Sequence, residues 1–558
     1  MTRRALWGQA LVIALLALAA SANSVTNGFA YDDNYIIQLS AARMSTLAGW
    51  WREFAATYWP SSGTGPGDGY RPLTILAFKL QWQLGGGSPL PFHAINIGLH
   101  VVTSVAAFWL ARAVLPLAAA WIAAALYAVH PVHTEAIANV VGQSEIIVAL
   151  LVSIAMGLYI HGRRAGTLGA GRWAAIATLY ALGMFFKEHA ITLIALLPLA
   201  ELTVVPDRAP IRARLTRMRL PLLVMLLLAV GYLWARGLAI KGGSGFQPYI
   251  VFHSLDLSHA DRILTMVRAS PEWLRLLLWP ARLQTEYAPP DIAIAQGPSV
   301  AQLPGLLILL GTLGIAAATW RRSPATSFGI AWLVITLLPA SNFILPAGFI
   351  IAERTLLLPS IGAMLAVASA VPWIYQRIEA RRALQLAAAG ALGLVLALGV
   401  VRSVKRNPVW NDSETLMRQA IKDSPDSYRA HFMLGVVLFR RGNLADGERQ
   451  FRQALRMFPY DPYMIWTLAE RYRGSRLCYP AVELYEAFYQ MMPAKSTGLL
   501  GYAECLLALR RPDEARRVAL RWIQLGGGLK VSRRIIADAT RMRDSLRADG
   551  TPSANGPP

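Results

Sequence analysis

The sequence predicts an all-α protein in two parts, a polytopic bundle of membrane-crossing helices followed by a solenoid of short paired helices. Three observations carry that expectation. Hydrophobic residues fill 55% of the 558 positions and charged residues only 15%, a balance too apolar for a water-soluble chain of this size. Apolar stretches long enough for the hydrocarbon core recur from residue 5 to residue 402. Beyond them Pro425, Pro459 and Pro493 fall at a constant interval of 34 residues, the period of a helix-turn-helix repeat.

The apolar stretches lie near 5–22, 93–114, 116–130, 145–161, 173–188, 189–204, 219–236, 302–320, 327–345, 349–375 and 383–402, which makes about eleven spans. Arg3 and Arg4 precede the first, which ends in Ala-Ser-Ala and also fits a signal peptide; cleaved or kept, the loop that follows lies outside. Arginine clusters set the orientation: Arg3 with Arg4, Arg163 with Arg164 and Arg172, the arginines of 208–219, Arg321 with Arg322, and Arg377 with Arg381 and Arg382 all belong on the cytoplasmic side. They alternate correctly only if 262–280, interrupted by Arg268, Pro271, Glu272 and Arg275, is an interfacial or re-entrant hairpin and not a span. The chain after Arg402 is then periplasmic or its equivalent, in a multi-pass inner (plasma) membrane protein.

The net charge of +22 is compatible with nucleic acid or an anionic membrane. Most of the excess lies among the apolar segments before Lys405, so no nucleic-acid partner is expected. The only cysteines, Cys478 and Cys505, do not form a zinc or redox motif, and they read as core thiols in preference to a disulfide.

Within 428–461 the residues Leu434, Gly435, Gly442, Phe451, Ala454 and Pro459 stand where the two helices of a tetratricopeptide repeat pack closely. A second unit supplies Leu468, Ala469, Tyr472, Ala481, Tyr485 and Pro493, and a third Tyr502, Ala503, Leu506 and Ala515. The expected organisation is a membrane domain over 1–404 with outer-face loops 23–92 and 237–301, a repeat domain over 405–530, and a basic tail over 531–558 that passes into disorder. Stacked repeats of this kind bind a peptide or partner protein on the concave face, or serve only as a structural cap.

Polar residues beside spans are costly in lipid and are functional candidates for that reason. By the charge argument they gather on the outer face: Asp32 and Asp33 after the first span, His130, His133, Glu135, Asn139 and Glu145 between the third and fourth, Lys187, Glu188 and His189 at the fifth junction, and Ser341, Asn342, Glu353 and Arg354 around the ninth and tenth. Arg71, Arg236 and Lys241 lie in outer loops. Each has a plain alternative: solvated loop acids, hydrogen-bonded interhelical histidines, or Lys187–Glu188 and Glu353–Arg354 as neutralised pairs. The His130, His133 and Glu135 spacing matches no standard metal site, so no metal is expected.

These blocks, in their order, resemble the transmembrane and tetratricopeptide-repeat-containing O-mannosyltransferases, a branch of the polytopic C-type glycosyltransferases. The resemblance covers nearly the whole chain. It rests on Asp32-Asp33, Tyr70-Arg71-Pro72-Leu73, Phe92-His93 through His100, the HPVHTE run from His130, Asn139 to Glu145, Lys187-Glu188-His189, Ser341-Asn342, Ala352-Glu353-Arg354, and Arg406-Asn407 with Trp410. The chain departs from the family in its few repeats and in Gln143-Ser144.

The resemblance implies an enzyme that moves a mannose-like sugar from a polyprenyl-phosphate carrier to an acceptor hydroxyl, on a protein, at the outer face and with inversion. No cofactor is implied beyond the lipid-linked donor. Catalytic roles then fall on Asp32, Asp33 and Glu135, with Asp32 favoured as the base by similarity to the acidic pair of related transferases. Arg354, Lys187, Glu188, His189, Arg71, His130, His133 and Glu353 become donor-binding candidates, the cations facing the leaving phosphate. A pyrophosphate-dependent ligase is the second reading and a non-catalytic envelope scaffold the third. Trp50-Trp51 is followed by Arg52 and not by an acid, which disfavours the ligase.

Overall fold

The computed structural model describes residues 3–59, 69–240, 252, 257–493, 495–496 and 498–548. Among them every regular element is helical. Two compact units are present: the first is made of Met1–Pro60, Gly67–Pro248 and Ser258–Pro425, and the second begins its main run at Asp426.

Each of the eleven apolar stretches contributes helix to the first unit, although 341–345 and 349–352 are irregular. Its long helices are α1 (Arg3–Ser21), α2 (Pro72–Gly85), α3 (Leu90–Arg112), α4 (Leu117–Ala128), α5 (Gln143–Arg164), α6 (Ala170–Phe186), α7 (Leu193–Thr203), α8 (Ile211–Ala239), α9 (His259–Leu278), α10 (Leu303–Thr319), α11 (Pro324–Leu337), α12 (Leu357–Ala368), α13 (Val371–Ile378) and α14 (Arg382–Arg406). Among the described residues seven continuous segments are long and apolar enough to cross a bilayer, and α4 joined to Pro131–Ala138 across a 45° bend makes an eighth. The α6 and α11 segments are apolar but shorter. The segment 140–164 is the most enclosed of the spans, whereas α10 and α14 turn rows of leucines such as Leu307, Leu310, Leu394 and Leu398 outward, as lipid-facing helices do.

The hairpin expected over 262–280 is instead one continuous helix, α9. Ser258 and Asp261 form a reciprocal capping box at its start, and Glu272 pairs with Arg275 along its surface. Pro271 removes one amide donor, and the carbonyl of Val267 that it orphans accepts from Ser270 Oγ at 2.8 Å. The helix carries Arg262, Arg268, Glu272 and Arg275, so it is amphipathic and does not qualify as an apolar span.

Helices α11 and α12 cross with their backbones in contact at Gly329 and Gly362. A Cβ on Gly329 would stand 2.5 Å from the Gly362 carbonyl oxygen. Lipid tails are as apolar as leucine, so such close approach of small residues is what holds spans together.

Helix α15 (Ser413–Asp423) belongs to the first unit. In the second unit α16 (Tyr428–Arg440) pairs with α17 (Leu444–Met457), α18 (Pro462–Gly474) with α19 (Cys478–Met491), and α20 (Leu499–Ala508) with α21 (Pro512–Gln524). The second helices begin at Leu444, Cys478 and Pro512, so the 34-residue period holds. Two sequence expectations change here. Cys478 and Cys505 form a disulfide, because stacking of α19 on α20 brings their Cα atoms to 4.9 Å. The stretch from 531, read as a tail, continues α22 (Leu529–Ala548), whose Ile535 covers Ala503 and Ala519 and caps the array. The disorder expected after Ala548 lies outside the described residues.

Enlarging Gly362 to valine overfills the α11–α12 crossing and should destabilise the membrane unit by ~1–3 kcal/mol. Thermal unfolding of the purified protein in detergent reads this directly; unchanged melting would mean that the crossing is not close.

Candidate active site

The loop after α1 is tied to the end of α14 before it reaches Asp32. Asn407 Nδ2 donates to the Ala20 carbonyl at 2.9 Å and to Asn23 Oδ1 at 2.6 Å, while Asn23 Nδ2 reaches the Val404 carbonyl at 2.8 Å. Asn27 Nδ2 donates to the Asn407 carbonyl at 2.9 Å. The Gly28 amide donates to the Asn411 carbonyl at 2.9 Å, and a Cβ there would stand 2.8 Å from the same oxygen. Ser413 Oγ then accepts from the Tyr31 amide at 2.9 Å and from Asn34 Nδ2 at 2.6 Å. Tyr31 sits in the left-handed region with φ +53°, a conformation costly for a residue with a side chain. Its hydroxyl donates to Glu286 Oε1 at 2.5 Å. Two anchors thus hold the residue that immediately precedes Asp32.

The two aspartates have different surroundings. Asp33 is fully buried, and its carboxylate accepts amide hydrogens from Ala30 at 3.3 Å, Val140 at 3.2 Å and Val141 at 2.9 Å. Burial pushes its carboxyl up to about 7, against the lowering effect of those three amides. Asp32 keeps 17% of its side chain exposed and stands 3.8 Å from the Arg354 guanidinium.

Arg354 belongs to the turn that leads into α12. Its amide donates to Glu135 Oε2 at 2.9 Å and its guanidinium to Glu135 Oε1, so a buried carboxylate fixes both backbone and side chain. Phe349 lies under the guanidinium at 5.7 Å. Glu353 points elsewhere: its Oε1 accepts from Tyr287 Oη at 2.7 Å and from the Gln284 amide at 2.6 Å. The neighbours Glu353 and Arg354 are therefore not a neutralised pair.

Lys187 and Glu188 likewise pair across helices. Lys187 Nζ donates to Glu145 Oε1, and His189 Nε2 stands 3.3 Å from the other Glu145 oxygen. Arg71 grips Glu188 through two bonds, Nε to Oε2 at 3.1 Å and Nη2 to Oε1 at 2.8 Å. Lys187 lies within the electrostatic reach of Arg71 and Arg354, which joins these groups into one cluster with Asp32. Four cations or imidazoles and three tethering carboxylates thus come from five separate segments.

The histidines of the 130–135 run are interior groups. His130 Nε2 faces the Leu277 carbonyl at 3.0 Å while Nδ1 accepts from the Val132 amide at 3.3 Å, and His133 Nε2 faces Ser360 Oγ at 2.9 Å. Their buried rings lie tilted at 36° to each other with centroids 5.4 Å apart. Asn342 bonds the Phe349 carbonyl at 2.8 Å and the Ala347 amide at 2.6 Å, and so shapes the turn that delivers Arg354. Arg236 is buried near the end of α8, and Lys241 lies outside the described residues.

Sequence reading passed over several residues that the fold brings to the cluster. Glu286 and Ser413 position Tyr31. Gln143, which departs from the family pattern, bridges Gln81 at 2.7 Å and Asn96 at 2.7 Å, and Asn96 in turn bonds the Ile137 carbonyl at 3.2 Å. Tyr58 stacks under Arg71. Only Gln143 carried a signal, as a polar residue opening an apolar span.

Comparison with known proteins agrees with the repeat reading and with the family resemblance. Residues 410–462 match the tetratricopeptide repeat family model. The chain is 28% identical over 530 residues to protein O-mannosyl-transferase Tmtc1 of Drosophila melanogaster, covering 79% of this chain and 60% of that one. It is 26% identical over 516 residues to TMTC3 of Mus musculus, covering 87% and 54%, and 28% identical over 486 residues to TMTC4 of Homo sapiens, covering 78% and 64%. The chain thus spans less than two thirds of the length of these curated relatives. An oligosaccharyltransferase of Archaeoglobus fulgidus superposes with a TM-score of 0.43 at 13% identity, over 76% of this chain and 57% of that one. Over most of its length, this chain is similar to the transmembrane, tetratricopeptide-repeat-bearing protein O-mannosyl-transferases.

Proposed function

We propose that the chain is a membrane glycosyltransferase that moves a mannose-like sugar from a polyprenyl-phosphate carrier to a protein hydroxyl at the outer face, with inversion. The observation that carries this reading is the partly exposed Asp32 carboxylate beside Arg354, with Lys187 and Arg71 nearby on carboxylate tethers.

Asp32 takes the proton of the acceptor hydroxyl as that oxygen attacks the anomeric carbon. The bond from that carbon to the phosphate oxygen breaks in line, and the carrier leaves as a phosphate. Arg354 has guanidinium hydrogens left for it beyond those given to Glu135, and Lys187 and Arg71 add positive field. No general acid is needed, because a lipid phosphate is a good leaving group. Glu135, Glu145 and Glu188 balance the three cations in formal charge and hold them at fixed positions, so their remaining N–H donors meet the phosphate with little reorganisation. Asp33, His130 and Glu353 are hydrogen-bonded to protein partners, as is His133 through Nε2, and their role in this reading is to hold the frame.

The repeat unit selects the protein acceptor through its concave face. Its disulfide supports an oxidising compartment, since such bonds persist outside the cytosol. Together with the arginine clusters on alternate loops, this favours an outer placement. Reporter fusions after Arg219 and Arg382 should read cytoplasmic, and fusions after Gly69 and Ala548 outside. A cytoplasmic repeat unit would overturn the orientation.

Asp32→Asn keeps size and hydrogen bonding but removes the base. Transfer from a polyprenyl-phosphate sugar to a peptide acceptor should fall by roughly 10²–10⁴-fold with little change in donor affinity. Asp33→Asn should act on folding instead, because a primary amide cannot accept all three backbone hydrogens, and the loss should be ~1–3 kcal/mol. Wild-type turnover by folded Asp32→Asn protein would remove the base from this residue.

A further inference from the structure

Tyr58 closes the outer loop that follows the helical turn Trp50–Ala55. Its backbone is clamped on both sides: its amide donates to the Gly69 carbonyl at 2.8 Å, and its own carbonyl accepts from Arg43 Nη1 at 3.4 Å. Arg43 also reaches the Thr57 carbonyl at 3.1 Å, and it is held in turn by Glu53, which Lys79 grips from the other side at 2.7 Å. An ion triad, buried at Glu53 and Lys79 and partly exposed at Arg43, thus places one tyrosine.

The ring packs in an apolar cluster with Phe29, Ile37, Phe78, Phe92 and Val140, and the Arg71 guanidinium lies over its face at 4.8 Å. A phenylalanine would fill that slot equally well. The hydroxyl, however, is buried and has no hydrogen-bond partner among the described residues. An unsatisfied buried hydroxyl costs free energy, so its presence calls for a partner that arrives later. Arg71, Arg354, Asp32 and Asp33 all act on it electrostatically, which places it at the same cluster as the candidate base. Burial holds the phenol well above its ordinary pKa, so it is a donor and not an anion.

We propose that the Tyr58 hydroxyl donates a hydrogen bond to the phosphate of the lipid-linked sugar, as a neutral third donor between Arg71 and Arg354. This inference rests on the polyprenyl-phosphate reading above. The two guanidiniums supply charge, and each is already partly used by Glu188 and Glu135. A neutral O–H adds direction without further charge, and it keeps its proton throughout. Its bond strengthens as negative charge grows on the departing phosphate. The partner is an anionic oxygen, because the phenol keeps its proton and so donates, and the Arg71 and Arg354 guanidiniums within its electrostatic reach favour negative charge there.

The test compares wild type with Tyr58→Phe in the full-length protein. Binding is measured for a polyprenyl phosphate without sugar and for the corresponding polyprenol, alongside melting without lipid. Tyr58→Phe should melt at or above the wild-type temperature, bind the polyprenyl phosphate roughly 10- to 100-fold more weakly, and bind the polyprenol unchanged. Equal affinity of both proteins for the polyprenyl phosphate overturns the assignment and leaves the proposed function standing. Equal weakening toward the polyprenol, or a lower melting temperature, assigns the hydroxyl to packing and also overturns it. Wild type that binds no polyprenyl phosphate overturns both readings.

Discussion

Glu135 joined to Arg354 is the contact on which the arrangement of the candidate site depends. Neither charge is tolerable alone in a bundle whose other contacts are mainly apolar, and their attraction is strong where water is scarce. The pair binds the bent segment after α4 to the turn before α12 by amide and guanidinium together. Because Glu135 uses both oxygens on Arg354, the guanidinium is aimed and cannot swing away. Asp32 can then approach to 3.8 Å without closing a full hydrogen bond.

The same logic recurs in the other ion pairs. Glu145 holds Lys187 and His189, and Glu188 holds Arg71, each bond crossing between segments distant in sequence. A charge tethered to its chain neighbour would stabilise only a loop. A charge tethered across helices fixes the relative position of two helices and of itself. The more exposed acid is Asp32, while Asp33 spends its carboxylate on three amides of another turn. One aspartate is thus a structural bolt, and its neighbour is a partly exposed carboxylate beside Arg354.

Much of the fold was legible because membrane burial writes itself into composition. Each of the eleven apolar runs contributed helix, and the 34-residue interval located the second helix of each repeat. The clustering of Asp32, Lys187 and Arg354 was legible too, since charges beside spans have few places to go. Pairing was not: Glu353 beside Arg354 and Lys187 beside Glu188 suggested local neutralisation, yet turn geometry sends adjacent side chains apart. Pro271 suggested a break, and the Ser270 hydroxyl that heals it looks like any other serine. Cys478 and Cys505 met because two repeats stack, a distance that spacing along the chain does not encode. Tyr58 was silent for a related reason, because an aromatic in a loop rich in aromatics carries no mark of an unpaired hydroxyl.

The clamp on Tyr31 bears on how the protein is made. Its two anchors, Glu286 and Ser413, are synthesised long after the first span has entered the membrane. Asn407 and Asn411, which tie down Asn23, Asn27 and Gly28, come equally late. The Asp32 loop therefore has no means of adopting its strained backbone until the last helix of the membrane unit has been inserted. A nascent or truncated chain carries the acid but not its geometry, which is completed only when the end of the membrane unit has been made.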